Sequence, residues 1–327
     1  MGPRREGRCW LNPLPTFVNS EIQPNHIMKL LTLSLAAALI AAPVASFAAN
    51  FGPGPVPAAA TSFQVGTVAV TALADTQYVL PNDGKIFGVG VGADAVAKVL
   101  GAANAPTDVI TLPVDALLVR DGTRTLLIDS GLGRQLGGSL MTSLKLVGVK
   151  AADVTDVLIT HPHPDHIGGL LTADGHAAFP QAKIHFSTPD WKALGAQAEQ
   201  TALVKAIQSQ VQTFEPGAAI TATVTSVPLP GHTPGHVGYR ITSGNDSLLD
   251  VGDVAHSSIV SLAEPDWNMG FDQDGPLAKS TRRHALADLA KTRQLIFAPH
   301  FPYPGIGTVE TSGDGYKWHP TSLPASR

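Results

Sequence analysis

Residues 159–169 read ITHPHPDHIGG, and the reading of this stretch decides the fold. Three histidines and one aspartate, His161, His163, Asp165 and His166, fall within six residues. Imidazole nitrogen and carboxylate oxygen are the donors that a borderline divalent cation prefers. The apolar residues just before them predict a brief buried strand over 157–160 that ends at His161. A tight loop after that strand turns the donors inward. Pro162 and Pro164 stiffen the loop, because the pyrrolidine ring fixes φ. Gly168 and Gly169 let the chain pass close to its neighbours and enter the next helix. A solvent-exposed histidine-rich loop and a metal-free hydrogen-bonded set are the competing readings. Both are disfavoured, because clustered imidazoles without a cation repel on protonation and gain nothing.

Outward from this run the pattern alternates between strands and helices. Strands are predicted over 63–72, over 117–119 and 125–129 around the turn Asp121-Gly122, and over 183–187, 224–229, 238–242, 247–250 and 295–298. Residues 307–310 and 316–319 suit a final hairpin. Helices are predicted over 140–147, most of 189–210, and 278–293. The glycine-rich stretch 78–92 suits a loop or hairpin over a site. Strands recurring with helices between them predict a layered α/β fold and a single domain over 62–327.

The start of the chain reads differently. Residues 1–27 are rich in proline, asparagine and arginine, lack periodicity, and are read as an upstream extension. Residues 28–48 have a short basic start, an apolar middle and small residues around Ser46-Phe47-Ala48. That is the pattern of a secretory signal peptide, too short in its apolar run to span a bilayer of about 20 residues. A periplasmic or secreted protein without stable membrane anchoring is therefore expected, with 49–61 as a linker.

Composition excludes several classes. Of 327 residues, 44 % are hydrophobic and 15 % charged, which suits a globular domain. Removing residues 1–49 takes away four basic and two acidic residues and moves the net charge from −4 to −6. An acidic chain with no basic stripe argues against a nucleic-acid partner. Cys9, the one cysteine, is removed as well, leaving no thiol nucleophile or thiolate ligand. No GxSxG elbow is present either.

The HxHxDH pattern of residues 161–166 resembles the signature of the metallo-β-lactamase superfamily. The resemblance continues in order along the chain. It takes in LLVRDGTRTLLIDSGLG (117–133), LPGHTPGH (229–236), LLDVGDV (248–254) and FAPHFPYPGIG (297–307). It implies a four-layer αββα sandwich and a site for two divalent metal ions. Zinc is the first expectation, with iron, manganese and cobalt as alternatives. By this resemblance His161, His163 and His232 hold one ion, and Asp165, His166 and His300 hold the other. Asp253 bridges them. In GHTPGH the family's ligand is the first histidine, so His236 is expected to support the site rather than ligate. Asp129 has the position of a carboxylate that orients a ligand histidine. His176, His185, His256, His284 and His319 match no motif and are read as surface or satisfied histidines.

Two cations roughly 3.5–4 Å apart lower the pKa of a shared water towards neutrality and polarise an electrophilic oxygen. The implied activity is hydrolysis of an ester-type bond (lactone, carboxylic ester or phosphotriester). Asp253 and Asp165 are the catalytic candidates, Asp165 moving a proton after attack. The tail FPYPGIGTVE…GDGYKWHP and the insert EPDWNMGFDQD (264–274) are similar to methyl parathion hydrolase and acyl-homoserine lactonases. A small-molecule substrate with an apolar portion is expected, with Phe87, Trp191, Trp267 and Phe271 as pocket candidates, and a homodimer is plausible by resemblance. A glyoxalase-II-like thioesterase is the alternative, weakened by the lack of a basic cluster after His300. A non-catalytic periplasmic metal-binding module is the alternative of another class.

Overall fold

The computed structural model describes residues 51–322. The expected extension over 1–27 and signal peptide over 28–48 lie outside them. Among the described residues no helix is long and apolar enough to cross a membrane.

In chain order the first half holds β1 (Gly52–Pro55), β2 (Ala60–Val65), β3 (Val68–Pro81), β4 (Phe87–Val89), α1 (Ala93–Ala102), β5 (Val109–Asp121) and β6 (Arg124–Ile128). Next come α2 (Leu140–Leu146), β7 (Asp156–Leu158), α3 (Pro164–Ile167), β8 (Lys183–Ser187), α4 (Thr188–Gly195), α5 (Thr201–Ile207) and β9 (Val211–Phe214). The second half adds β10 (Val224–Pro228), β11 (Val237–Ser243), β12 (Asp246–Asp250), α6 (Val260–Ala263), β13 (Asn268–Met269) and α7 (Gly275–Thr292). The last elements are β14 (Ile296–Phe297), β15 (Ile306–Ser312) and β16 (Gly315–Pro320).

These strands form an eight-stranded sheet in the order β1-β3-β5-β6-β7-β8-β9, with β2 paired to β3, and a six-stranded sheet in the order β10-β11-β12-β14-β15-β16. β4 and β13 make a separate two-stranded ribbon. The layering follows from period-2 alternation. Val70, Leu117 and Leu126 face inward and meet Val237, Ile241 and Leu248 of the other sheet in the sandwich core. Their neighbours Leu118, Leu127 and Val157 face outward and are covered by Leu144 of α2, Leu194 of α4 and Ile207 of α5. On the far side Leu249, Val251 and Ile296 are covered by Leu286 and Leu289 of α7. Central strands are thus apolar on both faces, which is why they read as short continuous runs. The result is the expected αββα sandwich.

Two expectations are corrected. Residues 63–72 are not one strand but parts of β2 and β3, a hairpin that reverses at Gly66, whose φ is 58°. Within the expected linker over 49–61 the described residues hold β1 and the first two residues of β2. β1 pairs antiparallel with the outer half of β3, Gly52 opposite Val79 and Pro55 opposite Thr76. The physical reason is the length of β3. Fourteen residues outreach β2, so the outer half needs a second partner. A GPGP strand suits that place because an edge strand tolerates prolines that cannot donate to a ladder.

The topology directs one end of the sandwich. β6 and β7 run parallel, as do β12 and β14. Their C-terminal ends deliver Asp129, His161, Asp253 and His300 to a common rim. The loop between β10 and β11 brings His232 to the same place.

Candidate metal centre

The HPHPDH run forms a short turn in which His163 precedes α3 and Pro164 is its first residue. Proline suits that position because its missing N–H is an orphan there anyway. Close packing at Gly168 and Gly169 fixes the turn: a Cβ at Gly168 would strike the Leu132 carbonyl, and one at Gly169 the Ser130 carbonyl. Side chains at these positions would push the donor loop away from the strand ends.

The structure brings the seven sequence-predicted donors into two groups. Donor atoms of His161, His163, His232 and Asp253 lie within 4.8 Å of one another, as do those of Asp165, His166 and His300. His232 Nε2 is 3.2 Å from His161 Nε2 and 2.9 Å from His163 Nδ1. Asp253 sits between the groups: its Oδ2 is 3.7 Å from His161 Nε2, 3.4 Å from His232 Nε2 and 3.2 Å from His300 Nε2. Its Oδ1 is 3.3 Å from His166 Nε2.

The donor set fits divalent cations. His166 Nε2 and Asp253 Oδ1 are buried with no hydrogen-bond partner, and orphaned polar atoms in a packed interior call for a ligand. Burial holds His161 and His232 well below the ordinary histidine pKa, so their nitrogens keep lone pairs to give. His166 and His300 shift the other way. Burial opposes their charge, but the Asp253 carboxylate and its neighbours outweigh it, and His300 rises to about 9. That corner of the site favours positive charge, which a cation supplies.

An outer ring of groups orients these donors. Asp129 closes β6 with φ 62°, a left-handed conformation that aspartate tolerates. Its Oδ1 accepts the Thr160 backbone N–H at 2.8 Å, and its Oδ2 accepts the Thr160 hydroxyl and meets His166 Nδ1 at 2.7 Å. Asp129 is therefore both a strand-end residue and a histidine partner. His300 Nδ1 donates to the Pro113 carbonyl at 2.6 Å. His236 Nδ1 donates to the Leu229 carbonyl, and its Nε2 accepts the Asp253 backbone N–H at 2.9 Å. Both of its nitrogens are used, so it braces Asp253 and has none left for a metal.

Sequence reasoning missed three contributors. His256 is not a surface or satisfied histidine. It is buried, its Nε2 lies 3.3 Å from Asp253 Oδ2, and neither ring nitrogen has a hydrogen-bond partner. Its place three residues after Asp253 was the available signal. Asp272, inside the 264–274 insert, meets His232 Nδ1 at 3.1 Å. Asp190 of α4 accepts the Thr233 hydroxyl at 2.6 Å and the Gly235 N–H at 2.7 Å, pinning the loop that carries His232. No local motif marks either aspartate.

Asp190 makes a pH-dependent prediction. Burial raises its pKa to about 6, against the lowering effect of the bonds from Thr233 and Gly235. A carboxyl raised from 3.8 in the unfolded chain to about 6 binds its proton more tightly when folded. Its contribution is complete at low pH and is lost as pH rises through about 6. The stability of the wild type relative to Asp190→Asn is expected to fall by about 2 kcal/mol between pH 4.5 and 7. Urea unfolding of both proteins across that range checks this, and a pH-independent difference refutes it.

Over the donors lies a cavity of about 410 Å³, walled by Tyr78, Leu80, Leu112, Phe271 and His256, with Asp165 and His300 at its base. Tyr78 and Leu80 project from one face of β3, and Leu112 lies opposite Tyr78 on β5. Of the expected pocket aromatics only Phe271 lines this cavity. Phe87 is buried in the cluster under α1 that also holds Leu112, with Tyr78, Leu80, Trp267 and Phe271 packed against it, so Phe87 and Trp267 support the cavity wall without lining it. Trp191 packs on Phe186, ring centroids 5.3 Å apart, beneath α4. The remaining histidines match their expected roles: His185 pairs with buried Asp156, while His176, His284 and His319 lie at the surface or partly exposed.

Comparison with known proteins agrees with this geometry. A family model described as the metallo-beta-lactamase superfamily matches residues 109–300. The chain is similar to AidC, a dizinc quorum-quenching lactonase solved with a product, N-hexanoyl-L-homoserine. The TM-score is 0.77 at 26 % identity, covering 82 % of this chain and 99 % of that one. It is also similar to AbOPH, a hydrolase in the beta-lactamase superfamily (TM-score 0.73, 30 % identity, 82 % and 99 % coverage). Hydroxyacylglutathione hydrolase of Methylobacillus flagellatus is 30 % identical over 113 residues, spanning 34 % of this chain and 37 % of its own.

Proposed function

Because the chain belongs to the metallo-β-lactamase superfamily, we propose that it is a two-metal hydrolase of a lactone, carboxylic ester or phosphotriester with an apolar portion. The observation that carries this is the gathering of six His and Asp donors around Asp253 at the floor of a largely apolar cavity. The dizinc lactonase neighbour makes zinc the first choice and a lactone the first substrate class to test.

His161, His163 and His232 would hold one cation and Asp165, His166 and His300 the other, with Asp253 shared. Cations bound there supply an acidified water and polarise the electrophilic oxygen. The protein's own groups do the rest. Leu80, Leu112 and Phe271 seat the apolar part of the substrate and exclude bulk water. Burial, with the Asp165 and Asp75 carboxylates, pushes the Tyr78 phenol pKa up, so its hydroxyl stays protonated and donates to a substrate oxygen. Asp165, at the base of the cavity, accepts a proton and passes it to the leaving oxygen.

The test is hydrolysis by purified protein, with metals quantified, on five substrates: an acyl-homoserine lactone, an aryl ester, a phosphotriester, a glutathione thioester and a β-lactam. Chelator-sensitive turnover of one of the first three, lost in His163→Ala, is expected. Dominant thioester turnover would move the assignment to the hydroxyacylglutathione hydrolase relative. Two metals per chain with no turnover on any of the five would favour a binding module.

A further inference from the structure

The insert over 264–274 carries the pocket candidates Trp267 and Phe271, but its polar contacts lie away from the cavity. Arg282 of α7 is buried, with only 1 % of its side chain exposed. Its Nε donates to the Pro265 carbonyl at 3.0 Å, and one terminal nitrogen donates to the Trp267 carbonyl at 3.1 Å. Another meets Asp272 Oδ2 at 3.3 Å. One guanidinium thus binds the insert at three points. The other oxygen of Asp272 faces His232 Nδ1, and the backbone N–H groups of Gln273 and Asp274 donate to the carbonyls of His232 and Gly231. Between these anchors the insert presents Gly270 and Phe271 to the cavity.

A buried arginine is costly unless its donors are satisfied. Packing alone would be served by an apolar side chain there. What the arginine adds is a fixed Asp272 carboxylate that accepts the His232 Nδ1 N–H and leaves Nε2 free. We infer that Asp272, locked by Arg282, is a positioning residue that fixes the tautomer and aim of His232. Through it the Phe271 wall and one metal subsite are held as a single rigid unit. The inference rests on the metal reading above, since it assigns His232 a cation.

The experiment compares wild type with Asp272→Asn, which keeps the shape of the side chain but loses its charge. Asp266→Asn is the control, because Asp266 lies on the same insert in an exposed pair with Arg283. Zinc affinities are read by chelator competition, apo-protein unfolding midpoints by thermal melts, and the His232 tautomer by ¹⁵N imidazole NMR. Asp272→Asn is expected to weaken one of two zinc sites by about 10–100-fold, with a changed His232 Nδ1 signal. Asp266→Asn should leave both unchanged. If Asp272→Asn does not fold, Arg282→Lys keeps the charge but not the three-point grip and should weaken the same site. Wild-type affinity and an unchanged tautomer in the variant would overturn the inference. So would equal losses of apo and holo midpoints with zinc affinity intact, which mark a packing role. A wild type that binds no zinc would instead defeat the metal reading itself.

Discussion

Asp253→Asn is expected to empty the centre of at least one cation and to lower turnover by more than about 100-fold, the usual ceiling for partners one layer out. Asp253 is the one carboxylate within 4 Å of His161, His166, His232, His256 and His300, so it alone serves both groups. It is also the best held: its backbone N–H is fixed by His236, and the turn before it is tied by Gly252 N–H donating to Asp250. Asparagine keeps the volume, so loss of fold does not confuse the result. It removes the negative charge that the surrounding imidazoles and cations share. Metal content by mass spectrometry and turnover of the best panel substrate are the measurements. Two metals per chain with wild-type turnover would remove Asp253 from the mechanism.

Stripping the metals is expected to lower the thermal midpoint by about 10 °C or more. The protein then holds buried ligand atoms with no partner, His166 Nε2 and Asp253 Oδ1, and the ring nitrogens His232 Nε2 and His163 Nδ1 crowd to 2.9 Å. A ligand present at about 1,000 times its dissociation constant stabilises by about 4 kcal/mol. In a domain of this size each kcal/mol moves the midpoint by about 2–4 °C. Melts with and without chelator, followed by zinc add-back, test the claim. An unchanged midpoint would mean that the site is preformed by packing alone and that the metals contribute little to the fold.

The sandwich and most of the donors were legible in the sequence for a definite reason. HPHPDH, GHTPGH and FAPH are local strings whose residues act where they stand, and buried strands such as 125–128 announce themselves by continuous apolar runs. What escaped was of another kind. β1 forms because β3 is too long for β2 to cover, a fact about partners distant in sequence. Phe87, Trp191 and Trp267 have the chemistry of a pocket wall, but the direction of a short ribbon or helix decides where an aromatic points. Tyr78, Leu80 and Leu112, which do line the cavity, read as ordinary strand residues. Asp190 and Asp272 reach His232 and its loop from 42 and 40 positions away, through folding rather than spacing. His256 matches no motif itself, and only its place just after the bridging strand sets it apart from the other unmatched histidines.

The closeness of His161, His163, Asp165 and His166 in sequence also bears on how the protein acquires its metal. These four donors are neighbours even in an extended chain, whereas His232, Asp253 and His300 stand beyond strand ends of the six-stranded sheet and meet them only through tertiary structure. A divalent cation supplied during refolding would meet a partial site before the complete one exists, and any affinity for the unfolded chain would subtract from the stability that the cation confers. Refolding should be slower with zinc present from the start than with zinc added once the sheets are in place.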